Sequence, residues 1–330
     1  MPLGDLPADL NIEVISLAPV TPWQGRRDRL LSPNGLLARG EFAARVGVLS
    51  DGVDVVHFVE PQAAVAIPHA RAPAVAQIHF RTRRDRRIGA PWRRASRDAL
   101  ELVRAERRVC RGARWLLANS PEVAAELTLV APHAQVACAP LALDERYYTP
   151  RATLDSSVVG LIGTAGWPPT AKAVERLLRD VWPRVLERRP QARLLLAGTG
   201  MEHSTFPELP ECPGVEWRGR VPSATDFLRE LGALLYPLTA GSGLKVKVLE
   251  ALALGIPVVT TPDGAEGLGA HGGIAVESSD ERIVEATLEL IENPHARRSM
   301  GDAAYRTYVD HHTPAVAAGP VIDLYERMLA

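Results

Sequence analysis

The chain has 330 residues, 46% of them hydrophobic and 23% charged, which is enough apolar material for about two folded domains. A formal net charge of -1 supplies no global field that would select nucleic acid or an anionic surface. The three cysteines, Cys110, Cys138 and Cys212, lie far apart with no C-x-x-C pair, which excludes a disulfide scaffold and a zinc spacing and fits a reducing compartment. The opening MPLGDLPADL is acidic where a signal peptide would be basic, and no later apolar run approaches the ~20 residues needed to span a bilayer. The expectation is a cytoplasmic protein.

The first half reads as α/β. Short apolar runs at Ile12–Leu17, Val53–Phe58, Ala74–Ile78, Trp115–Ala118 and Val136–Ala139 predict strands. Helical spacing is expected from Arg93 to Arg111, with Leu100, Val103 and Val109 on one face. A short helix follows over Pro121–Leu129, with Ser120 as its N-cap and Pro in the first turn. Thr149–Ser157 lacks periodicity and carries Pro, Asp and Ser, so the domain boundary is placed there: residues 1–150 form one domain and 151–330 the other.

The second half alternates more cleanly. Strands are expected at Val158–Ile162, Leu194–Ala197, Val215–Trp217, Ala233–Tyr236, Pro257–Thr260 and Ile274–Val276. Helices are expected from Ala173 through Leu186, near Thr225–Glu230, over Lys245–Leu254 with Gly255 closing it, and over Glu281–Glu292 and Pro294–Asp310. Such alternation argues for parallel sheets covered on both faces, which bind ligands at the carboxyl ends of their strands. The loops after Gly163, Gly198, Pro237 and Thr260 are therefore the places to search.

One stretch carries chemistry: Gly241-Ser242-Gly243-Leu244-Lys245-Val246-Lys247, running into a helix that contains Glu250. The glycines allow close backbone approach to a ligand, and the free N–H groups of a helix start attract an anion. Lysines at a helix start oppose its dipole, and a bound anion would account for Lys245 and Lys247. Glu250, a turn further on, can accept hydrogen bonds from hydroxyl groups. The plainer reading of the loop alone is a glycine-rich turn before a solvated helix face.

From Val159 to about Tyr308 the sequence resembles the donor half of a GT-B glycosyltransferase of family 4 (glycosyl transferases group 1). The resemblance rests on Gly163-Thr-Ala-Gly-Trp-Pro-Pro-Thr170, Val181-Trp-Pro183, Leu196-Ala-Gly198-Thr-Gly200, Gly219-Arg-Val-Pro222, the Gly241 to Gly255 segment and Gly264-Ala-Glu-Gly-Leu268, in that order. In the first half, Asp54-Val-Val-His57, Ile78-His79, Glu106, Ala118-Asn-Ser120 and Ala139-Pro-Leu-Ala-Leu-Asp144 fall where such enzymes have related features.

The resemblance implies two Rossmann-like domains with parallel sheets facing a cleft. It also implies a retaining, metal-independent transfer of a hexosyl group from a nucleotide-diphosphate sugar to an acceptor hydroxyl, with no cofactor and no metal site. The acceptor would be a saccharide, a lipid-linked sugar or a small molecule, and nucleic acid is not expected. By the same resemblance Glu250 would hold the ribose, and Lys245 and Lys247 would compensate the diphosphate. The backbone from Gly243 through Leu244 to Lys245 would contact phosphate, and Gly163 and Thr164 would form the first nucleotide loop. Arg220 and Val221 would border the base, Glu266 would lie in a loop closing over the donor, and His79 would approach the donor sugar. His79, Lys245 and Glu250 are the catalytic candidates. For His79 the alternative is a hydrogen-bonded structural histidine.

The sequence departs from the family pattern in places. Ser242 stands where relatives carry the first glutamate of a pair, and Thr164 stands where many carry a basic residue. Pro140-Leu-Ala-Leu-Asp144 replaces the usual P-N-G-V-D. The chain also opens near what should be the second strand, so a shortened first domain lacking its first strand is expected. Two rival readings remain: a non-catalytic or partner-dependent nucleotide-sugar-binding protein, and a sugar-nucleotide epimerase, although the Thr-Arg-Pro-Glu signature of the latter is missing. Finally, Arg81 to Arg94 holds seven arginines. That stretch is either a basic face for peripheral contact with the inner membrane surface or a solvated loop.

Overall fold

A computed structural model of the chain describes residues 40–85, 94–150, 156–209, 211–268 and 272–330. The run Ile12–Leu17, the expected loss of a first strand and most of the linker lie outside the described residues.

The first sheet has four parallel strands in sequential order: β1 (Val56–Val59), β2 (Ala74–Ile78), β3 (Trp115–Ala118) and β4 (Gln135–Cys138). Parallel strands need crossover connections, and helices α1 (Glu41–Leu49), α2 (Arg94–Gly112) and α3 (Pro121–Val130) are the longer helices around them. Ser120 caps α3 as expected, its hydroxyl accepting from the Val123 N–H at 3.2 Å. Side chains alternate across this sheet. Ala76, Ile78, Leu116 and Ala118 enter one core with Phe58, Val109 and Leu127, while Val75, Trp115 and Leu117 face the opposite side.

The second sheet has six parallel strands: β5 (Val159–Ile162), β6 (Leu194–Ala197), β7 (Val215–Gly219), β8 (Ala233–Tyr236), β9 (Val258–Thr260) and β10 (Ile274–Val276), in the order β10-β9-β8-β5-β6-β7. Strands β5, β6 and β8 are buried along their whole length, which explains their unbroken apolar sequences. The expected helix from Ala173 to Leu186 is interrupted. It runs as α4 (Pro168–Arg176), a π-helical turn over Leu177–Val181, and α5 (Trp182–Arg188). The turn precedes Pro183, which can donate no backbone N–H. Helices α6 (Ala224–Glu230), α7 (Val246–Ala253), α8 (Asp280–Glu292) and α9 (Pro294–His311) complete the layers.

The last helix, α10 (Pro314–Leu329), returns to the first sheet, and no sequence motif announces it. Leu324 and Met328 cover Val75, Trp115 and Leu117, the face left open by the other helices. Among the described residues no helix is long and apolar enough to cross a membrane.

Candidate functional site

In the second sheet the strand order reverses between β5 and β8, the place where an open α/β sheet leaves a crevice beyond its carboxyl ends. Gly163 and Thr164 continue from β5, and Tyr236 ends β8. All three line a cavity of about 570 Å³. The cavity is shared with the first domain, which contributes Glu60, His79, Phe80, Asp85 and Asn119. The turns after β5 and β6 press against each other here. A Cβ on Gly198, at φ 124, would fall 1.8 Å from the Gly163 carbonyl oxygen, so only glycine fits.

The Gly-Ser-Gly loop leads into α7 with Lys245 as its N-cap in extended conformation. Among the described residues the N–H groups of Leu244, Lys245 and Val246 make no hydrogen bond, and these residues line the cavity. They are the orphan donors of a helix start. The Lys245 ammonium is buried and bonds the Gly243 carbonyl. Burial lowers its pKa, and the carboxylates of Glu266, Asp85 and Asp263 oppose that shift. Lys247 instead pairs with Glu250 at 2.5 Å, and the Tyr148 hydroxyl donates to the other Glu250 oxygen at 3.1 Å. Glu250 is thus buried with both oxygens held.

The neighbouring amides of the same loop are already occupied by carboxylates. Ser242 donates from its N–H and its hydroxyl to Asp85, each at 2.7 Å, and the Gly243 N–H donates to Glu266 at 2.7 Å. The Gly243 N–H, expected to meet phosphate, donates here to Glu266, and the amides without a partner begin at Leu244. Glu266 also binds Arg84 at 2.8 Å, an ion pair between the two domains, and lines a second cavity of about 610 Å³.

On the first-domain wall, Glu60, His79 and Asn119 each follow the last residue of a strand: β1, β2 and β3 respectively. The Asn119 amide nitrogen lies 3.1 Å from Nδ1 of His79. Burial, and then the nearby His57, push the His79 pKa below its ordinary value. Both effects favour the neutral imidazole over the charged one.

The structure brings Gly163, Thr164, His79, Ser242, Leu244, Lys245 and Lys247 to one cavity, with Gly243 and Glu250 directly behind them. Arg220 and Val221 follow the edge strand β7 and do not line it. Within the described part of the arginine run, Arg83 is exposed. Arg81 is buried against Glu106 at 3.0 Å, and Arg84 joins Glu126 and Glu266. Arg86, Arg87 and Arg93 lie outside the described residues.

Sequence reasoning missed Glu60, Asp85, Arg84 and Tyr148 as parts of the site. Glu60 had one signal, an acid immediately after a strand and before Pro61. Asp85 was hidden among the arginines.

Residues 156–293 match the family of glycosyl transferases group 1. The two sheets of parallel strands form a GT-B fold, and the family match falls on the part of the chain that holds the second sheet. A relative of this domain is the GDP-mannose-dependent monoacylated alpha-(1-6)-phosphatidylinositol monomannoside mannosyltransferase of Corynebacterium glutamicum, 30% identical over 194 residues, which cover 52% of this chain and 50% of that protein. The chain thus spans about half the length of the curated relative that it matches. Among solved structures, TarM superposes with a TM-score of 0.69 at 11% identity, covering 86% of this chain and 58% of TarM. Anabaena Alr3699/HepE, solved in complex with UDP and glucose, gives 0.60 at 17% identity, covering 89% and 81%. These two likenesses extend the GT-B fold across both domains.

Proposed function

We propose that this chain transfers a glycosyl group from a nucleotide-diphosphate sugar to an acceptor hydroxyl, with the second domain holding the donor and the first domain holding the acceptor side. One observation carries this reading. Leu244, Lys245 and Val246, whose amides are open, line a cavity to which the first domain contributes Glu60, His79 and Asn119. A helix start and a buried cation suit a diphosphate, and they act on charge that grows on it as the glycosidic bond breaks. In this reading Glu250 receives the ribose hydroxyls, Lys247 holds Glu250 in place, and Glu266 belongs to the loop that closes over the donor. Arg220 and Val221 border the base at the far side of the sheet.

The reaction is a retaining one. The bond from the sugar's anomeric carbon to the diphosphate breaks, and the acceptor oxygen bonds to that carbon on the same face. The acceptor proton passes to an oxygen of the departing diphosphate, and no metal or cofactor takes part. Holding both substrates across one cleft removes much of the entropic barrier. The relative named for GDP-mannose makes that donor the first to try. A thermal-shift panel of UDP, GDP, dTDP and ADP, each with and without its sugar, tests the reading. One nucleotide and its sugar raise the melting temperature, and Lys245→Ala weakens the diphosphate more than the nucleoside. A panel without any shift overturns it.

A further inference from the structure

Glu60 has a backbone conformation that no other non-glycine residue among those described shares at positive φ: φ is 73° and ψ is 144°. Such a conformation is strained for a residue with a Cβ and persists only where the surroundings impose it. The imposing contacts are present. The Glu60 N–H donates to the Gln77 carbonyl at 3.1 Å, continuing the β1–β2 ladder, and its carbonyl accepts from the Ala64 N–H at 3.2 Å, opening the one-turn helix Pro61–Ala64. Glycine would take this turn without strain, yet the chain places a carboxyl there.

That carboxyl lines the 570 Å³ cavity, and its Oε2 is shielded from solvent without a hydrogen-bond partner. On the same wall the Asn119 amide spends its nitrogen on His79, and its Oδ1 is also buried and unpartnered. Two orphaned polar atoms on one cavity wall are unusual in a folded protein and are what a ligand would satisfy. Burial, and then the nearby Glu106, raise the Glu60 pKa above its ordinary value. The wall formed by Glu60, His79 and Asn119 thus presents hydrogen-bonding groups, while Lys245 and the open amides stand on the second-domain side. The cavity is polarised, with one side suited to an anion and the other to neutral hydroxyl groups.

We propose that Glu60 and Asn119 hydrogen-bond the hydroxyl groups of the sugar ring carried by the nucleotide donor, and that Glu60 is a specificity-determining residue for the transferred sugar. This rests on the donor reading above. The test is calorimetric binding of GDP, GDP-mannose, UDP and UDP-glucose to the full chain and to Glu60→Gly, Glu60→Gln and Asn119→Ala. Glu60→Gly relieves the backbone strain, so its melting temperature does not fall below that of the parent. Its affinity for the bound nucleotide sugar drops about tenfold, and its affinity for the bare diphosphate changes by no more than about twofold. Asn119→Ala shows the same selectivity, and Glu60→Gln, which can still donate and accept, keeps most of the affinity. Equal losses for sugar-bearing and bare nucleotide, or an unchanged affinity for the sugar-bearing one, overturn the assignment. If the parent chain binds none of the four, the donor reading fails first and this assignment falls with it. If the parent binds but the variants show no selectivity, the assignment alone fails.

Discussion

The Asp85 carboxylate of the first domain accepts two hydrogen bonds from Ser242 of the second, one from its backbone N–H and one from its hydroxyl, both at 2.7 Å. The same Ser242 oxygen accepts from the Arg81 N–H at 2.6 Å. A residue that looks like a lost carboxylate in the sequence is therefore a knot between domains, with a carboxylate supplied from across the cleft. Burial raises the Asp85 pKa, and the two Ser242 donors oppose that shift.

Ser242→Ala leaves the buried Arg81 N–H without an acceptor and removes one donor from Asp85. Stability should fall by about 1–3 kcal/mol, the cost of stranding a buried polar group. Chemical denaturation measures it, and an unchanged midpoint would show that the knot contributes nothing.

Gly243 sits under the first domain so closely that an added Cβ would lie 1.9 Å from the His79 carbonyl oxygen, and its φ is 71°. Gly243→Ala should lose about 1–3 kcal/mol from the backbone alone. The clash also forces the domains apart at this point. Small-angle scattering should show a larger radius of gyration, and a variant as compact as the parent would argue against the contact.

His57 and His79 both have pKa values pushed below the ordinary value of 6.5, chiefly by burial. The unfolded chain then binds more protons than the folded one between the depressed values and 6.5. Their contribution to stability is fully present above pH 6.5 and is lost as pH falls through the folded-state values. Denaturation free energies should decline as the pH drops below 6.5, and the slope should flatten in the His57→Gln, His79→Gln double variant. An equal slope in parent and variant would remove these histidines as its source.

Leu324 is fully buried on the first sheet although it lies near the end of the chain. Leu324→Ala should cost about 2–5 kcal/mol, as cavity-forming changes in a packed core do. The Trp115 emission should shift to the red as α10 loosens. A loss no greater than that of an exposed-site change would show that the helix is dispensable to the first domain.

The sequence determined the parallel α/β design, because short uninterrupted apolar runs such as Leu194–Ala197, alternating with helical stretches, suit strands buried on both faces. It also located the loop ahead of α7, where glycines that free the backbone stand beside lysines that oppose a helix dipole. Both features are local, written in periodicity and in backbone requirements a few residues long. The tertiary structure alone decided which groups meet across the cleft. Asp85 reaches Ser242 from 157 residues away, Arg84 reaches Glu266 from 182, and α10 closes a sheet built from the opposite end of the chain. Nothing in the spacing encodes such partners, because they are brought together by how the two sheets face each other. The Glu60 turn belongs with them. Its strain follows from simultaneous bonds to Gln77 and Ala64, and only the folded ladder imposes both at once.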